Sequence, residues 1–181
     1  MTDKAWSVLM PVKVLAEAKS RLAGLAGLTG PRRAELALAL ASDTVTAVLG
    51  SDAVARVIVI TDDQAAAAAL SADLPALRPE QIGRALRAAS AWPTAFVADA
   101  AGDGTTLYTA TPGAAFRPAF GLASRARHAA GGAVELGLDG IGGLRRDVDT
   151  PSDLRGAVAL GLGPHSAPLA AELLRCAPRG R

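Results

Sequence analysis

Two acidic motifs stand where apolar stretches stop: Ser71-Ala72-Asp73-Leu74-Pro75 and Arg146-Asp147-Val148-Asp149-Thr150-Pro151. An aspartate at the mouth of an α/β sheet is a hard oxygen ligand on a rigid element, and two from distant parts of the chain could share a magnesium ion. Three cations, Lys13, Lys19 and Arg21, follow the first apolar run. At the C-terminal end of a first strand their natural partner is phosphate, the alternative being a merely solvated face. Gly102-Asp103-Gly104-Thr105 is a glycine-rich turn whose hydroxyl and backbone amides are expected to be open to an anion. Phe120 to His128 is expected to be a loop opening into a helix whose N-terminus could hold a phosphate or carboxylate. Arg125 and Arg127 add charge there, although a helix cannot turn both toward one ligand. Cations together with magnesium-binding carboxylates suit transfer at phosphorus, where positioning and charge neutralisation supply most of the acceleration. The chain has no Gly-x-Ser-x-Gly elbow, Walker-type Gly-Lys-Ser, Cys-His pair or helical metalloprotease motif. A covalent nucleophile is therefore not expected.

The elements that must position these groups alternate in the α/β manner. Ser7 to Met10 is a buried first strand closed by Pro11, and a loop from Pro11 to Leu22 follows. Thr29, offering a capping hydroxyl, and Pro31 precede an amphipathic helix from Ala34 to Leu49, ended by Gly50. Arg56 to Ile60 is a β-branched strand stopping at Thr61-Asp62-Asp63, and the last residues of Ala65 to Leu70 form a short central strand leading to Asp73. A parallel crossover needs about a dozen residues or more, which the stretch between Ile60 and Ser71 does not supply. Either the two runs are not parallel neighbours, or a segment near residues 65–70 is deleted or unseen in this chain, and the second alternative is the one expected. Pro79 to Leu86 reads as a helix, Ala95 to Ala98 as a strand ending at Asp99, and Ala133 to Leu136 and the run before Asp147 as short strands. Pro151 starts a closing helix, and Pro168 to Arg175 reads as another.

Composition bounds the setting. With 181 residues, half of them hydrophobic, the chain is read as one domain, 1–181. Nineteen basic against seventeen acidic residues, net +2, are too balanced for a nucleic-acid-binding surface. The single Cys176 permits no internal disulfide, which fits a reducing cytoplasm. The N-terminus lacks the long apolar core of a signal peptide, and Glu35 and Asp43 interrupt the most apolar helix, so neither export nor membrane insertion is expected.

Taken in order, Pro-Val-Lys-x-Leu-x-x-Ala-Lys-Ser-Arg-Leu at Pro11 to Leu22, Asp-Leu-Pro at Asp73, Gly-x-Gly-Thr at Gly102, Phe-Gly-x-x-Ser-x-Ala-Arg-His at Phe120 and Asp-Val-Asp-Thr-Pro at Asp147 resemble the guanylyltransferases of deazaflavin coenzyme F-420 biosynthesis. Those enzymes act on phosphoenolpyruvate or 2-phospho-L-lactate. The resemblance implies a nucleotidyltransferase fold of the glycosyltransferase-A type, a mixed and mostly parallel sheet flanked by helices. It implies GTP as donor, with catalytic Asp73 and Asp147 binding Mg2+ and Asp149 beside them, and a downstream transferase receiving the product. Thr105, Gly121 and Ser124 match the positions that hold the acceptor, and Lys13, Lys19 and Arg21 match the basic opening, assigned to the triphosphate. Ala, Gly and Arg dominate as in high-GC actinobacterial chains, and among those the resemblance implies phosphoenolpyruvate over 2-phospho-L-lactate. Two departures stand out. Val14 replaces a usual arginine, and the chain lacks the family's Leu-Asn-x-Ala-Leu-type stretch, where the crossover is also short.

Under this reading the phosphate oxygen of the acceptor attacks the α-phosphorus of GTP and pyrophosphate leaves. The acceptor is already ionised near neutral pH, so His128 need not act as a base. Two rivals remain: a noncatalytic phosphoenolpyruvate-binding protein, and a sugar-phosphate or molybdopterin-type nucleotidyltransferase. The latter would carry a glycine-rich loop after the first strand, which Pro11 to Leu22 does not supply.

Overall fold

A computed structural model describes residues 6–11, 22, 28–60 and 68–176. Its elements run β1 (Trp6–Pro11), α1 (Gly30–Leu49), β2 (Val54–Ile60), β3 (Ala68–Leu70), α2 (Pro79–Ala89), β4 (Thr94–Ala98), β5 (Thr105–Ala110), α3 (Ser124–Ala130), β6 (Val134–Glu135), α4 (Gly142–Arg145), α5 (Pro151–Leu160) and α6 (Ser166–Cys176). The six strands form one mixed sheet in the order β2-β1-β3-β5-β4-β6. β1 runs parallel to both β2 and β3, β4 runs parallel to β6, and β5 is antiparallel to its neighbours β3 and β4. The C-terminal ends of β1, β3 and β4 and the N-terminal end of β5 therefore share one edge. In an α/β sheet that edge is the place for a site.

Apolar residues cover both faces of the sheet. On one, Val8, Met10, Val97 and Leu107 meet Val48 of α1, Leu86 of α2 and Leu144 of α4. On the other, Phe96, Ala98 and Tyr108 meet Ala133 with Phe116 and Phe120. A third cluster joins Leu22, Leu36 and Leu40 to Leu154 of α5 and Leu173 of α6. Asp43, expected only as an interruption of α1, is buried. Its carboxylate accepts the His165 N–H at 2.9 Å, the Ser166 N–H at 2.8 Å and the Ser166 hydroxyl, so it caps α6. Among the described residues, no helix is long and apolar enough to cross a membrane.

The structure departs from the sequence-based expectations in two places. Thr29 sits at the N-cap of α1, but its hydroxyl makes no capping hydrogen bond. The run before Asp147 is the short helix α4 and not a strand. A helix fits because Gly143 packs where any Cβ would overlap the Ala76 carbonyl oxygen. β2 and β3 are parallel but not neighbours, since β1 lies between them, which is one of the two alternatives left open by the short stretch that joins them.

With Ile60 level with Pro11 and Ala69 level with Leu9, the ends to be joined are roughly 14 Å apart at standard strand spacing. Eight residue steps reach about 27 Å, which is enough to span that distance.

Candidate active site

Asp73 lies three residues beyond β3, and its backbone is anchored on two sides. Its carbonyl accepts the Val148 N–H at 3.1 Å, and the adjoining Leu74 N–H donates to Thr44 Oγ1 of α1 at 2.9 Å. The segment carrying Asp147 and Asp149 is thus laid against the end of β3. Arg145, at the end of α4, ties the same segment to β4. Its Nε donates to the Ala98 carbonyl at 3.1 Å and its Nη2 to that of Asp99 at 2.8 Å, while its own carbonyl accepts the Ala100 N–H at 2.8 Å. Thr150 and Asp153 close a capping box that starts α5 directly after Asp149.

These restraints gather acidic groups on the shared edge. The Asp147 carboxyl is pushed up from its ordinary 3.8 to about 7, first by burial and then by the charges of Asp73, Asp99 and Asp149. Among the described residues, no three His, Cys, Asp or Glu side chains come close enough to enclose a metal ion by themselves. The donor set nonetheless fits a hard divalent cation that takes one or two carboxylates and fills its shell with water and phosphate oxygens. Such a cation would also relieve the repulsion around Asp147.

Asp99 acts differently. Its Oδ1 accepts the N–H groups of Gly102 at 2.6 Å and Asp103 at 3.1 Å, and its Oδ2 accepts that of Gly104 at 2.9 Å. The backbone amides expected to be open to an anion are therefore taken by a carboxylate of the protein itself. This turn sets the start of β5, where a register shift between Val97 and Ala98 marks a bulge opposite Thr105 and Thr106.

Thr105 is buried and its Oγ1 lies 3.0 Å from His128 Nδ1. His128 is held from every side: Nε2 accepts the Ala119 N–H at 2.7 Å, Tyr108 stacks on the ring at 4.7 Å, and Phe96 and Phe120 pack at 5.6 and 5.7 Å. Burial, and then the Arg127 charge, push its pKa down. One helical turn earlier on α3, Ser124 presents a hydroxyl that is buried and has no hydrogen-bond partner. Gly121, with φ +101°, and Ala123, with φ +53°, make the turn into α3. The two arginines of this segment hold the protein together. Arg125 pairs with Glu135 at 2.8 Å and with the Gly102 carbonyl at 2.9 Å, while Arg127 donates to the carbonyls of Ala119 and Phe120. Thr105, Ser124 and Gly121 are thus brought to the turn next to Asp99, and Asp73, Asp147 and Asp149 to the same edge. Lys13, Lys19 and Arg21 lie outside the described residues.

Sequence reasoning passed over Asp99 and Arg145 as positioning groups. Asp99 had one readable signal, an Asx residue opening a Gly-Asp-Gly turn. Arg145 had none, because its partners are backbone carbonyls 46 and 47 positions away.

No family model matches the chain. It is 50% identical over 215 aligned positions to the phosphoenolpyruvate guanylyltransferase of Thermomonospora curvata, covering 97% of this chain and 93% of that protein. It is 46% identical to the phosphoenolpyruvate guanylyltransferase of Streptomyces avermitilis, covering 97% and 98%. The 215-position alignment is longer than the 181 residues of the chain, so the first relative carries stretches with no counterpart here. In fold, the structure resembles a protein described as a nucleotide-diphospho-sugar transferase from Desulfovibrio desulfuricans G20, with TM-score 0.61, 14% identity and 93% coverage of both chains. That likeness bears out an α/β nucleotidyltransferase fold, and the identities show that the chain belongs to the phosphoenolpyruvate guanylyltransferase family of nucleotidyltransferases.

Proposed function

We propose that the protein transfers GMP from GTP to phosphoenolpyruvate, releasing pyrophosphate, as a cytoplasmic enzyme of deazaflavin coenzyme F-420 biosynthesis that passes its product to a downstream transferase. The observation that carries this reading is the meeting of Asp73, Asp147 and Asp149 with Thr105 and Ser124 at one sheet edge, in a chain half identical to a phosphoenolpyruvate guanylyltransferase.

Asp73 and Asp147, with Asp149 beside them, would hold Mg2+. When bound, the ion would neutralise charge developing on the phosphates. Asp147 must then be ionised, and its upward shift means that binding near neutral pH displaces a proton. Thr105 and Ser124 present hydroxyls to the acceptor, and Gly121 lets the backbone approach it closely. Lys13, Lys19 and Arg21 are assigned to the triphosphate. The acceptor phosphate oxygen forms the new bond to the α-phosphorus as the bond to pyrophosphate breaks. No side chain need take a proton from an acceptor that is already ionised. His128, with both ring nitrogens engaged, is read as a positioning group and not a base.

The stretch that relatives carry and this chain lacks is placed between β2 and β3. The short connection there and the excess alignment length support that placement. Pyrophosphate release from GTP and Mg2+, with phosphoenolpyruvate, 2-phospho-L-lactate or no acceptor, tests the function. Release that depends on phosphoenolpyruvate is expected. Preference for 2-phospho-L-lactate would correct the substrate, and no release from a chain of confirmed mass would favour a noncatalytic phosphoenolpyruvate-binding protein.

A further inference from the structure

Thr105 Oγ1 and His128 Nδ1 are 3.0 Å apart, and distance alone does not say which group donates. The other ring nitrogen decides. His128 Nε2 lies 2.7 Å from the Ala119 nitrogen, a backbone N–H that can only donate, so Nε2 must be the bare acceptor nitrogen. In a neutral imidazole the proton then sits on Nδ1, and Nδ1–H donates to Thr105 Oγ1. The ring is neutral because it is buried among Phe96, Tyr108 and Phe120 beside the Arg127 cation. The two hydrogen bonds select the ring orientation, because a flipped ring would turn carbon atoms toward both Thr105 Oγ1 and the Ala119 N–H.

With its oxygen engaged as acceptor, the Thr105 hydroxyl has its own proton to give elsewhere. The geometry points to His128 as a positioning residue that fixes the Thr105 hydroxyl as a hydrogen-bond donor, aimed at an anionic oxygen of the acceptor substrate. A second observation stands on the same helix face. Ser124, four residues before His128, is 1% exposed and its Oγ has no partner, so it too is a buried hydroxyl with a proton to offer. A Thr105 hydroxyl fixed as a donor, with the Ser124 hydroxyl beside it on the α3 face, favours a phosphate or carboxylate oxygen over an amine. The selection is electrostatic and needs no charged side chain. The inference rests on the reading that Thr105 touches the acceptor, and the test separates the two.

Wild-type protein carries two histidines, so the ring 15N shifts of His128 can be assigned directly, and the Nδ1–H tautomer is expected. An Nε2–H tautomer or an imidazolium at pH 8 would overturn the inference whatever the variants do. Four variants follow: T105V, H128F, H128N and T105V/H128F. H128F keeps the aromatic packing but removes both nitrogens, whereas H128N keeps an N–H near the Nδ1 position. T105V is expected to raise the acceptor KM about tenfold, and H128F by a similar factor, with the GTP KM changed less than about twofold in each. H128N should recover part of that loss, and the double variant should be no worse than T105V alone, because the two residues act as one unit. An H128F enzyme with unchanged acceptor KM, or a double variant in which the losses multiply, would overturn the inference while leaving the acceptor reading intact. A T105V enzyme with unchanged acceptor KM would instead remove the acceptor reading itself, and this inference with it.

Discussion

Asp99 and Gly104 are fitted to one another: Asp99 Oδ2 accepts the Gly104 N–H at 2.9 Å and also stands where a Cβ on residue 104 would have to be. G104A must therefore displace the carboxylate from all three amides it holds, those of Gly102, Asp103 and Gly104. The expected cost is about 1–3 kcal/mol of stability. A rise in acceptor KM with GTP KM unchanged should accompany it, because Thr105 is the next residue. Denaturant titration and steady-state kinetics read both. A G104A protein with a normal acceptor KM would show that this turn does not position Thr105.

Asp147 ties stability to pH and to metal. Its folded-state pKa of about 7, raised from 3.8, means that the native state binds the extra proton between those values. The stabilisation from that proton is complete below pH 3.8 and is lost as pH rises through about 7. In metal-free protein, D147N should remove this slope and be the more stable form at pH 8, by on the order of 2 kcal/mol. Melting curves from pH 5 to 8 in chelator give the comparison, and parallel curves for the two proteins would refute it.

The same carboxylates should set turnover. D73N and D147N are each expected to lower kcat by on the order of 100-fold or more, since a hard cation loses an anionic ligand in either case. Calorimetry with MgCl2 near pH 6.5, run in buffers of different ionisation enthalpy, should show a proton released from wild type and none from D147N. Near-normal turnover by D73N would remove Asp73 from the metal site.

Outside the site, the buried cap on α6 is a control. Asp43 accepts two backbone N–H groups and the Ser166 hydroxyl, so D43A leaves three donors unpaired and should cost on the order of 3 kcal/mol. Acceptor and GTP KM should stay at wild-type values in protein that remains folded. A shift of either would couple the α1–α6 contact to the site.

These residues also show what a sequence can reveal. β2 was legible as a β-branched run, and β3, only three residues long, was legible because an aspartate follows an apolar stretch that stops. Helix α4 was not, because Gly142 and Gly143 argue against a helix, which forms only where Gly143 can pack on the Ala76 carbonyl. Asp73 and Asp147 stood out as acids at element ends. Asp99 left one local signal, its place ahead of a Gly-Asp-Gly turn, whereas Arg145 left none, because it holds backbone carbonyls far away in the chain. His128 was visible as a motif residue, but its engagement at both nitrogens depends on Thr105 and Ala119 arriving from different segments.

His128 leads to the last prediction. Its pKa is lowered from 6.5, by burial first and by Arg127 second, so the folded state disfavours the imidazolium. A lowered histidine supports the fold fully above its unfolded value of 6.5, and this support is lost as the pH falls below that toward the folded-state pKa. Protonation would also put a second donor on Nε2, facing the Ala119 N–H, and break that bond. Wild type should therefore lose more stability than H128F between pH 7.5 and pH 5. Asp147 pulls the other way over part of this range, but it is present in both proteins and cancels in the difference. Thermal melts of the pair at half-unit pH steps measure it: a wild-type minus H128F difference that shrinks toward acid fits a buried neutral imidazole, and a flat difference would mean that His128 titrates as it does in the unfolded chain.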